Sequence, residues 1–139
     1  MFDLILHNYG PDVKIGSLHI NVYDTMSAHD IHGLTRKISM QMYERHGIIM
    51  TVGVYSVATG ENKQVELQKE VLHIIASHKE IIQVHGLYYS EADNMFSVDI
   101  IPDESVKDDA GISRQLAEEI QPLVPGVNVF VVVDHNYSE

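Results

Sequence analysis

Three groups of histidines have types and spacings that can do chemistry. His7 and His19 fall on adjacent segments that read as one hairpin, on one face by strand parity. A loop centred near residue 12 sets His7 close to Ser17 and makes His19 its diagonal neighbour. Two imidazoles at that separation can share a metal given further ligands; the other reading is two exposed strand histidines. His29 and His32 lie three apart near a helix start and so share a face. A positive helix end disfavours a cation there, and a solvated helix face also explains them. His85, Asp99 and Asp134 fall on three different strands, again on one face by parity. One imidazole and two carboxylates form a donor set for Zn²⁺, Mn²⁺ or Fe²⁺. His78 and His135 stand where they can assist from the edges, and the alternative is an acidic strand end with a stray histidine.

Motifs for covalent chemistry do not appear. The sequence contains no nucleophile elbow, no phosphate-cradling loop and no His-Glu-x-x-His, so the reading is non-enzymatic. Glu104, Asp108 and Asp109 form an acidic run that suits a helix N-terminus. Met26, Met40, Met42 and Met50 read as core filler. His46 and His73 look incidental, one at a helix end and one within a helix.

The elements that must position these groups are small. The chain has 139 residues, 45% apolar and 21% charged, which is globular composition for one ordinary domain or two very small ones. Absence of cysteine removes disulfides and thiolate metal sites. Twenty acidic residues oppose nine basic ones, a net charge of −11, so nucleic acid is a poor partner while cations are attracted. Residues 1–59 carry a net −1 and residues 60–139 a net −10, so the acidity lies in the second half. No apolar run approaches the roughly 18–20 residues that span a bilayer, so the chain as given reads as soluble.

Alternation marks strands at Asp3–Tyr9 and Ile15–Tyr23 around the turn Gly10-Pro11-Asp12. Ser27 with Asp30 predicts a capped helix carrying Ile31, Leu34, Ile38 and Met42, ended by Gly47 before the strand Ile48–Ser56. A helix from Asn62 to about His78, strands Gln83–Tyr89 and Met95–Ile101, a helix Ala110–Leu123 that Pro122 and Pro125 are expected to end early, and a strand Val127–His135 follow. The pattern is β-β-α-β over residues 1–60 and α-β-β-α-β over residues 61–139. Ser17-Leu18-His19-Ile20 matches Ser97-Val98-Asp99-Ile100, 80 residues later. The fold class expected is α+β, two tandem ferredoxin-like units with antiparallel sheets and helices on one face. The first unit lacks a leading helix, which residues before Met1 are expected to supply. Each sheet then has one open face. The first carries His7, His19, Asn21, Tyr23, Thr51 and Tyr55, and the second His85, Leu87, Tyr89, Asp99, Phe130, Val132 and Asp134.

Leu6-His7-Asn8-Tyr9-Gly10-Pro11 followed by Ser17-Leu18-His19-Ile20-Asn21-Val22 resembles the start of the cytoplasmic C-terminal domain of cation diffusion facilitator transporters. Ile31-His32 resembles that family's helix pair. The stretch from Val84-His85-Gly86-Leu87 to Val131-Val132-Val133-Asp134 resembles a second copy. The resemblance implies a ferredoxin-like domain that dimerises below the membrane, often with Zn²⁺ at the dimer interface. It implies His19 and His32 as ligands in the first copy, and His85 and Asp134 in the second with Asp99 in a histidine's place. Phe2, Val132 and Gly111 stand where the family has histidines, and the first copy's closing element lacks both ligands, which favours one reduced site.

The function expected is the cytoplasmic regulatory and dimerisation domain of a divalent-cation efflux transporter. A divalent transition metal, zinc first and manganese or iron next, would bias subunit pairing. The metal-ligating candidates are His85, Asp99, Asp134, His19, His32 and His7. The partners would be the membrane-spanning part of the same transporter and a second copy, or the two units pairing within one chain. The place would be the cytoplasmic face of the cell membrane. An ACT-like small-molecule sensor and a dimerisation scaffold without ligand are the alternatives.

Overall fold

The alternating segments on either side of Gly10-Pro11-Asp12 become the antiparallel strands β1 (Phe2–Asn8) and β2 (Lys14–Tyr23). The Tyr9 N–H donates to the Val13 carbonyl at 2.9 Å and closes the turn. Helix α1 (Ala28–His46) starts where the sequence predicts: the Asp30 N–H donates to the Ser27 hydroxyl at 3.1 Å, and that hydroxyl donates to the Asp30 carboxylate at 2.7 Å. Gly47, at φ 65°, ends the helix with its N–H directed to the Met42 and Tyr43 carbonyls. Strand β3 (Ile48–Val57) then runs beside β2. In this computed structural model the described residues are 2–60 and 63–135.

The second half contains α2 (Lys63–Ala76), β4 (Ile81–Ser90), β5 (Met95–Pro102), α3 (Asp109–Ile120), a 3₁₀ turn at Gln121–Leu123 and β6 (Asn128–Val133). Asp108 caps α3 by accepting the Gly111 N–H at 2.9 Å. Pro122 falls in the 3₁₀ turn, and α3 ends early, at Ile120, as the prolines predict.

The chain is α+β, with two three-stranded sheets in the orders β1-β2-β3 and β4-β5-β6. Both sheets are mixed, which corrects the expected antiparallel sheets: β2 pairs with β3, and β5 with β6, in parallel. The cause is the intervening helix, which returns the chain to the end where the preceding strand began. Two compact units result, one ending at Val57 and the other spanning Ala58–His135.

Their cores differ in size. In the second unit Val71, Phe96, Val98, Ile100, Leu116 and Ile120 are essentially inaccessible. Leu67, Val71 and Ile75 of α2 and Ile112, Leu116 and Ile120 of α3 supply the helical side of that core. Among the described residues the first unit buries the hydrophobic side chains of Leu18, Val22, Ile48 and Met50; Leu18, Ile48 and Met50 form one cluster with Leu4, Ile20, Ile38, Met42 and Val52 packed around it, and α1 contributes no fully buried residue. No helix among the described residues is long and apolar enough to cross a membrane.

A bulge in β4 revises one predicted face. His85 stands opposite Asp99, but Tyr88 stands opposite Ser97 and Tyr89 opposite Phe96, so the register shifts between His85 and Tyr88. Gly86 adopts φ 62°, a conformation open to glycine and strained for other residues. Parity reverses beyond it. Leu87 and Tyr89, expected on the open face, pack against the core, and Tyr88 takes the open face beside Ser97.

Candidate metal site

Three strands of the second unit converge on His85. It lies on β4 directly opposite Asp99 of β5. Phe96, Val98 and Ile100 turn into the core, so Asp99 turns to the other face with His85. Asp99 pairs in turn with Val132 of β6, and Asp134 follows two residues later on the same face. The Asp134 N–H donates to the Ile100 carbonyl at 2.8 Å, which extends the ladder past β6 and fixes where the carboxylate emerges.

His85 Nε2 lies 3.9 Å from Oδ2 of Asp99 and 3.9 Å from Oδ2 of Asp134. The His85 side chain is 1% exposed, those of Asp99 and Asp134 21% and 34%. One neutral imidazole and two carboxylates balance a divalent cation. Bonds of about 2.1 Å at tetrahedral angles set donor atoms about 3.4 Å apart, so each carboxylate oxygen lies about half an ångström farther from the His85 Nε2 than a shared ion would set it. The donor types suit a divalent transition metal.

The two histidines expected to assist are engaged elsewhere. His135 Nε2 is 2.9 Å from Oδ2 of Asp109, which ties the end of β6 to the start of α3. The His135 N–H also donates to Oδ1 of Asp134 at 2.9 Å, and Oδ2 of that carboxylate lies toward His85. His78 sits between two carboxylates: Nε2 is 2.7 Å from Oε2 of Glu119 and Nδ1 is 3.3 Å from Oε1 of Glu80. The Glu119 hydrogen bond, opposed by burial and helped by Glu80, raises the His78 pKa above its ordinary 6.5. Its own backbone hydrogen bond, aided by His78, lowers the Glu80 carboxyl below its usual 4.5. This arrangement clasps the end of α2 to α3.

In the first unit His7 and His19 are not brought together. His7 pairs with Ile15, not Ser17, and His19 stands opposite Phe2. The hairpin register is therefore two residues tighter than the loop-centred expectation. His7 is exposed beside Tyr9, with ring centroids 6.3 Å apart. His19 stacks on Tyr55 at 4.7 Å and lies, through Nδ1, 3.3 Å from Oδ2 of Asp3. The Tyr55 hydroxyl donates to the same Asp3 oxygen at 3.2 Å. His32 is exposed on α1, remote in sequence and element from these groups.

The sequence matches no known protein-family model and no curated protein. The internal comparison is more informative. Phe2 opposite His19 occupies the place of His85 opposite Asp99, and Tyr55 falls at the register position of Asp134. The two sheets thus carry polar groups at matching positions, and the second sets two carboxylates 3.9 Å from one imidazole nitrogen. Asp3 is the residue that sequence reading missed. It has φ 54° at a register shift between Phe2 and Ile5, and alternation gives no sign of either.

Proposed function

We propose that the second unit binds a divalent transition metal through His85, Asp99 and Asp134. The chain would serve as the cytoplasmic regulatory and dimerisation part of a divalent-cation efflux transporter. The observation that carries this reading is the buried His85 ring with one oxygen of each carboxylate 3.9 Å from its Nε2. The sequence resemblance to cation diffusion facilitators supports the transporter context, and the repeated strand order supports two ferredoxin-like units. Zinc is the first candidate, because an N/O donor set around a buried imidazole suits it, with manganese or iron next. The metal would regulate by binding one arrangement of subunits better than another, and that difference in affinity is all it can transmit. The units themselves catalyse nothing in this reading.

Calorimetric titration of chelator-stripped protein with Zn²⁺, repeated with Mn²⁺, tests it. Saturable binding near one ion per chain is expected, lost in the Asp99→Ala/Asp134→Ala variant while circular dichroism stays unchanged. Equal binding by wild type and variant would place the metal elsewhere and sink the assignment.

A further inference from the structure

We propose that α1 and the β3 edge of the first unit form the surface on which two copies of this chain pair about a twofold axis. This gives the subunit pairing of the reading above a location and rests on that part of it alone. β3 is the outer strand of its sheet, has no charged residue over Ile48–Val57, and runs beside β2 without a register shift. The opposite edge, β1, carries Asp3 at positive φ and a register shift. Bulges and charges are what sheets use to block edge pairing, and β3 has neither.

Beside β3, α1 borders a groove of about 480 Å³. Met40, Tyr43 and Ile49 line it while 49%, 62% and 54% exposed. The charges on its rim indicate the occupant. Arg36 and Glu44 stand four residues to either side of Met40 and both line the groove. Among the described residues neither forms an ion pair. If one α1 lies antiparallel on another with Met40 at the twofold, each Arg36 faces the other copy's Glu44. That is the self-complementarity an isologous contact requires. Charge distribution agrees: residues 1–59 carry a net −1 against −10 for residues 60–139, so two copies repel least through the first unit.

Sedimentation velocity of the full chain in EDTA, from about 5 to about 200 μM, tests the pairing without involving metal. A concentration-dependent dimer is expected. Arg36→Glu should weaken it about tenfold, Arg36→Glu/Glu44→Arg should restore it, and Met40→Glu should leave monomer. Ile49→Lys gives the same reading should Met40→Glu lose its circular dichroism spectrum. A wild-type chain that stays monomeric, a dimer indifferent to Arg36→Glu and Met40→Glu, or a double variant without rescue each overturns the proposal. The zinc titration is unaffected by any of these outcomes, so the two ideas fail separately.

Discussion

His19 occupies its place because position 53 has no side chain. Gly53 is its partner across β2 and β3, and a Cβ there would run into the His19 ring. Gly53→Ala should therefore push the ring off Tyr55 and away from Asp3. Loss of about 1–3 kcal/mol from the first unit is expected in urea unfolding, as for overpacking elsewhere. The His78 clasp makes a prediction with a sign. Its folded pKa is raised, so its stabilisation is fully present below the unfolded value of 6.5 and is lost as pH rises through the folded value. Wild type should therefore exceed Glu119→Gln in urea midpoint most clearly at about pH 6, with the gap closing by about pH 9. A gap that grows with pH would contradict the charged clasp. These two neighbourhoods also mark what sequence conveys at this scale. His85, Asp99 and Asp134 could be grouped by alternation because β5 and β6 are regular and His85 precedes the bulge. Asp3 could not be joined to His19, because a single positive φ at a register shift redirects it. Nor does spacing reveal that His78 and Glu119, 41 residues apart, are partners.

At the scale of elements, local signals placed most boundaries. Ser27 and Gly47 bracket α1, and the Pro122 ring explains why α3 gives way to a 3₁₀ turn. Strand polarity was less legible, since alternation is the same in parallel and antiparallel strands and only the connection decides it. Face assignment failed at Gly86, where one bulge exchanged Tyr88 with Tyr89. The helical side of the second core rests on few residues. Leu116 of α3 is 0% exposed in the cluster with Val71, Phe96 and Ile120. Leu116→Ala should destabilise the second unit by about 2–5 kcal/mol in urea unfolding, because the surrounding side chains close only part of the cavity. An effect under about 0.5 kcal/mol, the scale of surface substitutions, would mean the packing around α3 is looser than described.

At the scale of the molecule, the repeat read from the sequence becomes two units with the same strand order and unequal interiors. The acidic second half holds both the large core and the candidate metal site. The near-neutral first half holds a small core and the proposed contact surface. Four buried hydrophobic side chains among the described residues leave little reserve against chain entropy. Such a unit draws part of its stability from whatever covers it, and mass action then enters its folding. Diluting the protein would lower the temperature at which the first half melts and leave the second half's transition where it was. The cell's supply of this chain would then decide how much of its first half is folded at all.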